Sequence, residues 1–175
     1  MDSASARSAA GCYVQPVNED EVNFSDPLVV AVSRRIDATA QQIFAVLRDP
    51  QRHREFDGSS MVRGSEAPPI EAVGDEFIMG MHNEEFGDYE MRNVLIEYVP
   101  DRAIAWAPKR HDIQDDEDWN HRWGWRLAPD GESTNVTAFF DCRLVPPDGR
   151  RILRDGERWR PVLERSLERL EALFH

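Results

Sequence analysis

Cysteine is nearly absent: Cys12 and Cys142 are the two among 175 residues. They stand far apart and share no ligand spacing, which excludes a disulfide framework and a cysteine-rich zinc site. Two free thiols in a reduced, cytoplasmic protein are the expectation. Basic residues are also short, 21 Lys and Arg against 33 Asp and Glu, for a net charge of −12. That balance opposes the phosphate backbone, so nucleic acid and anionic membrane surfaces are poor partners. No run approaches the roughly 18 apolar residues of a membrane span, and stable membrane insertion is not expected. Ser8-Ala9-Ala10-Gly11-Cys12 has the small residues of a lipoprotein cleavage box but no apolar stretch before it, so lipidation is not expected either. The chain has no Gly-x-Ser-x-Gly elbow, phosphate-binding glycine loop or dinucleotide fingerprint. The usual machinery of covalent hydrolysis, phosphoryl transfer and hydride transfer is therefore missing, and no cofactor is expected.

What is present is aromatic. In Trp119-Asn120-His121-Arg122-Trp123-Gly124-Trp125-Arg126-Leu127, alternate positions collect three indoles, an imidazole and a leucine on one side. Strand side chains alternate between faces, so the segment predicts a strand with one dry aromatic face. Such a face either fills a core or lines a pocket for an apolar ligand, with His121 orienting that ligand. Among indoles a charged imidazole is poorly solvated, so His121 is expected to be neutral and able to exchange a proton near pH 7. The alternative is a core histidine bonded to backbone.

Organisation along the chain is that of one domain, which the length allows and two ordinary domains would exceed. Residues 1–26 are polar with scattered apolar positions and read as a tail, loose or peripherally packed. A chain beginning near Ser25 is expected to melt with the full protein. Residues 27–175 form the domain. A first strand over Leu28–Ile36 precedes a helix capped by Asp37 or Thr39 and running to about Arg48. A second short helix spans Pro50 to about Phe56. Strands near 61–66, 74–83, 88–99, 102–108, 118–128 and 133–145 follow, separated by turns such as Pro100-Asp101 and Pro129-Asp130-Gly131, a rhythm that implies an antiparallel meander. From Trp159 to Phe174 the apolar period becomes helical, predicting a long amphipathic closing helix with Pro161 near its start.

Within this order, Val32–Pro50, His53, Asp57-Gly58-Ser59, Gly74-Asp75, Phe77, His121–Leu127, Val136-Thr137 and Phe140-Asp141 resemble the START-like, or SRPBCC, superfamily. The bacterial branch labelled polyketide cyclase/dehydrase-like is the most similar. The resemblance implies an α+β helix-grip fold: a curved seven-stranded antiparallel sheet wrapped around the C-terminal helix, with two short helices after the first strand. It also implies an elongated cavity between sheet and helix. Phe77, Met79, Met81, Trp106, His121, Trp123, Trp125, Trp159, Leu163, Leu167 and Leu170 are its expected lining.

The ligand so implied is a hydrophobic small molecule, polyketide-like, fatty acyl or prenylated, held by a monomer or homodimer. A carrier is the leading reading. A cyclase or dehydratase would use His121 with Arg92 and Asp57 as acid/base groups, since either Arg92 or Asn93 must face inward and Asp57 lies near the expected cavity mouth. Asp57-Gly58 is also an ordinary turn former. A third reading is an interaction module like the chaperone-activating members of the superfamily. His82, Asn83, Glu84 and Glu85 read as a polar hairpin, and Asp112, Asp115, Asp116, Glu117 and Asp118 as a solvated acidic loop, because neither group has metal-ligand spacing.

Overall fold

A computed structural model describes residues 22–85, 87–110 and 119–175. The acidic loop, Cys12 and the first 21 residues of the tail lie outside the described residues. Seven strands are described: β1 (Val29–Ile36), β2 (Val62–Gly64), β3 (Glu76–Asn83), β4 (Gly87–Val99), β5 (Ala103–Arg110), β6 (Arg122–Asp130) and β7 (Ser133–Asp141). They form one curved antiparallel sheet in the order β1-β7-β6-β5-β4-β3-β2. Between β1 and β2 the chain forms α1 (Ala40–Leu47), a 3-10 turn (Pro50–Arg52) and α2 (His53–Phe56). After β7 come α3 (Pro147–Leu153) and α4 (Arg160–Ala172).

Local chemistry sets these boundaries. Thr39 caps α1 in a reciprocal box: its Oγ1 accepts from the Gln42 N–H at 3.3 Å, and Gln42 Oε1 accepts from the Thr39 N–H at 3.0 Å. Asp49 Oδ1 accepts from the Gln51 N–H at 3.1 Å, and Pro50 supplies the first position of the 3-10 turn. That turn aims His53 at the sheet. The closing helix α4 turns Leu163, Ser166, Leu167 and Leu170 inward, all buried, and its outer side carries the charges, with Arg34 bridging to Glu171 at 2.7 Å.

Three boundaries differ from expectation. β6 starts at Arg122, because Asn120 takes a left-handed φ of 53° that breaks the extended backbone. Trp119 therefore leaves the stripe and lies against α3, whose Gly149 would place a Cβ 3.5 Å from the indole. β7 stops at Asp141, and α3 was not foreseen, although Pro147 at its first turn and Asp148 beside it are helix-start signals. Trp159 sits on a separate 3-10 turn (Glu157–Trp159), set off by Arg154, Asp155 and Gly156 at φ of 53°, 52° and 93°.

The sheet's outer face is also partly apolar. Val29, Ala105 and Phe139 form a buried cluster there, against which Val22, Ala31 and Ile96 pack. Gly124 makes room for the Phe139 ring, which an added Cβ would meet at 2.3 Å. Phe24 meets that ring edge-on at 5.6 Å, and the Arg126 guanidinium lies 5.0 Å from its centroid. Val22 and Phe24, in the last residues of the tail, thus pack on this patch.

Where α2 meets α4, the chain passes through Gly58. A Cβ there would lie 2.2 Å from the Val162 carbonyl oxygen and 2.7 Å from the Ser166 nitrogen. The Gly58 N–H donates to Ser166 Oγ at 2.9 Å, the Gly58 carbonyl accepts from Arg165 Nε at 2.8 Å, and the Asp57 carbonyl accepts from Arg169. Since backbone rather than a flexible side chain blocks the space, Gly58→Ala must push α4 away. We expect a loss on the order of 3 kcal/mol in urea unfolding, against a smaller loss of about 1–2 kcal/mol for Gly131→Ala, where a Cβ meets no atom and only the left-handed φ of 63° is strained.

Candidate functional site

The inward faces of β3 to β6 and α4 meet in one cluster containing Phe77, Met79, Met81, Trp106, Trp123, Trp125, Trp159, Leu163, Leu167 and Leu170. Strand alternation thus placed Phe77, Met79, Met81, Trp106, Trp123 and Trp125 on the interior face, and helical spacing did so for Trp159, Leu163, Leu167 and Leu170. The bulge between Leu95 and Glu97 in β4 keeps Leu95 opposite Trp106 and Tyr98 opposite Ile104, so the inward register survives along the strand.

The elongated cavity expected between sheet and closing helix is filled over its centre by side chains. His53 stacks on Trp106 with centroids 5.0 Å apart, and Phe77 and Phe56 meet the imidazole at 5.4 and 5.3 Å. Phe56 in turn meets Trp125 edge-on at 5.5 Å. His53 Nε2 donates to the Leu47 carbonyl at 2.9 Å, which anchors the ring in this stack. Sequence reasoning cited His53 only within the family pattern; its place directly after a Pro-initiated turn was the available signal. Two shallow depressions lie elsewhere. One of about 320 Å³ is bordered by Glu66, Ala67, Glu76, Phe77 and Ile78, and one of about 260 Å³ by Val32, Ser33, Arg34, Glu164, Leu167 and Glu168.

His121 lies at the other end of the interior. Its ring is 5.3 Å from Phe140 and 6.5 Å from Trp123, while Trp159 closes the group at 5.2 Å from Trp123 and 5.9 Å from Phe140. His121 Nδ1 and Trp159 Nε1 are buried without a hydrogen-bond partner among the described residues. Burial lowers the His121 pKa from 6.5 to about 4, and the same cause brings His53 to about 4. Both imidazoles are therefore neutral at pH 7.

The other acid/base candidates are elsewhere. Arg92 pairs across the ladder with Ile78, points outward and bonds Glu76 at 3.2 Å, while Asn93 takes the inward place opposite Phe77 and is buried. Arg92 therefore does not face the interior. Asp57 Oδ1 accepts from the Ser59 N–H and hydroxyl at 2.8 and 2.6 Å, and Oδ2 from the Val62 N–H at 3.0 Å, so its carboxylate organises the turn. His82 bonds Asp88 across the β3–β4 hairpin at 2.7 Å. Among the described residues no group of three His, Cys, Asp or Glu is placed to hold a metal ion. Cys142 is a free, buried thiol that donates to the Leu28 carbonyl at 3.1 Å, and burial pushes its pKa to about 11, so it is not a nucleophile.

A curved antiparallel sheet gripping a C-terminal helix, with two short helices after the first strand, defines the START-like helix-grip class. Within it, residues 27–175 match the family model described as "Polyketide cyclase / dehydrase and lipid transport", and the chain belongs to that family. It is 35% identical over 117 residues to uncharacterized protein Rv0088 of Mycobacterium tuberculosis, covering 63% of this chain and 46% of that protein. The chain thus spans about half the length of the curated relatives it matches. Among solved structures, a protein of Mesorhizobium loti superposes with a TM-score of 0.61 at 18% identity, covering 83% of this chain and 96% of that one. A Mycobacterium smegmatis protein gives 0.64 at 10% identity, covering 85% and 91%. These show the fold. No described helix is long and apolar enough to cross a membrane.

The neutral, buried His53 couples stability to pH. Its folded pKa lies below the unfolded value, so its contribution is intact above about pH 6.5 and is lost as pH falls toward 4. The full loss below pH 4 is on the order of 3 kcal/mol. His53→Gln, which cannot charge, is expected to lose less stability than the wild type between pH 6.5 and 4. Parallel profiles in urea unfolding would show that His53 does not carry the coupling.

Proposed function

We propose that this chain binds a hydrophobic or amphipathic small molecule at the His121 end of its interior, as a cytoplasmic carrier. The observation that carries this reading is the pair of unsatisfied nitrogens, His121 Nδ1 and Trp159 Nε1, in a group of four aromatic rings. Each buried polar atom left unpaired costs about 1–3 kcal/mol, a cost that a ligand bonding both would relieve. Membership of a family described by cyclase, dehydrase and lipid-transport activities supports a ligand-binding fold. Polyketide-like, fatty acyl and prenylated compounds all present the required apolar body. Trp159 is the ring of this group carried on a 3-10 turn rather than on or beside a strand, so its displacement is the least costly way to admit such a body.

The cyclase reading is weakened by geometry. With Arg92 on the outer face and Asp57 committed to its turn, His121 is the one member of the expected acid/base set in the interior. The interaction-module reading is favoured by the packed centre, where His53, Trp106 and Phe77 leave the grip closed. N-phenyl-1-naphthylamine, a neutral apolar probe, separates the readings. For a carrier it quenches tryptophan emission at micromolar concentration, and Trp159→Ala weakens it at least tenfold with the fold retained by circular dichroism. Unchanged emission, with no small molecule co-purifying in native mass spectrometry, would favour the interaction module.

A further inference from the structure

Three buried side-chain nitrogens lack a hydrogen-bond partner among the described residues, and all three belong to the same end of the domain: His121 Nδ1, Trp159 Nε1 and Arg150 Nε. His121 and Trp159 both pack on Phe140 and Trp123. Two residues beyond Phe140 is Cys142, whose thiol feels the Arg150 charge. Arg122, next to His121, pairs across the sheet with Asp141, next to Cys142. The helix bearing Arg150 also approaches Trp119, two residues before His121, through Gly149. Of the carboxylates felt at Cys142, Asp141 is bound by Arg143 Nε and Nη2 at 3.0 and 2.8 Å, and Asp155 is exposed.

The chemistry of the three atoms is one-sided. Indole Nε1 and guanidinium Nε only donate, and neutral imidazole Nδ1 donates in one of its tautomers. A water molecule accepts two hydrogen bonds at most and must place two protons of its own. A carboxylate accepts about four and places none. We propose that Arg150, Trp159 and His121 bind the carboxylate head of an amphipathic acid, whose apolar tail lies against the aromatic interior. This rests on the small-molecule-binding reading and names its ligand class.

The test is a calorimetric titration of the full chain at pH 7.5 with dodecanoate and with dodecan-1-ol, which share a tail and differ in the head. Dodecanoate is expected to bind at least tenfold tighter. Arg150→Gln and Trp159→Phe, the latter keeping a ring and losing the N–H, are each expected to cut that preference below threefold while leaving alcohol affinity within threefold. If Arg150→Gln fails to fold by thermal melt, Trp159→Phe decides alone. Equal affinities in the wild type, or a preference that survives in the folded variants, would overturn the carboxylate site and leave small-molecule binding standing. Binding of neither compound would overturn both.

Discussion

The closing helix can grip the sheet only because Gly58 has no side chain. With a Val162 carbonyl 2.2 Å from the position its Cβ would take, the α2–α4 approach is set by backbone against backbone. That contact is fixed at three further points, through Ser166 Oγ, Arg165 and Arg169. Phe56, two residues before Gly58, is thereby pressed onto Trp125, and His53, one turn earlier, onto Trp106. The filled centre of the interior follows from this approach. Two residues of a turn therefore decide how much room the sheet and helix leave between them, and dense packing transmits the decision along the whole grip.

The same turn explains why Asp57 was ambiguous in sequence. An Asp-Gly pair signals a tight turn because of what Asp hydrogen-bonds and what Gly's φ permits. Here the Asp does organise a turn, but the Gly is required by a helix more than 100 residues away, which no local pattern can announce. Alternation, by contrast, was enough to put Phe77, Met79, Met81, Trp123 and Trp125 on the interior face, because the strand period is rigid and one face is buried. It failed for Trp119 at the residue where Asn120 turns left-handed. It also left Arg92 and Asn93 undecided, since periodicity says that one faces inward and only the pairing with Phe77 says which. The filled interior was illegible for a further reason: a resemblance conveys the shape of a fold, whereas the space inside depends on contacts such as His53 against Trp106, between residues remote in sequence.

The two interior histidines show what burial alone does and does not mean. Both are held neutral by desolvation. His53 returns a hydrogen bond to the Leu47 carbonyl and closes a stack of rings, so its burial is compensated locally and its role is to fix α2 on the sheet. This is the backbone-bonded core histidine that sequence reasoning held as the alternative for His121. His121 makes no such return: it shares its unsatisfied state with Trp159 across the Phe140 and Trp123 rings. A native fold keeps few unpaired buried groups, and three gathered at one end are harder to explain as scattered imperfections of packing than as one arrangement. The polarity of that end, two obligate donors beside an imidazole nitrogen that donates in one of its tautomers, is therefore the feature of this interior that asks for a partner from outside the chain, whereas the compensated His53 stack asks for none.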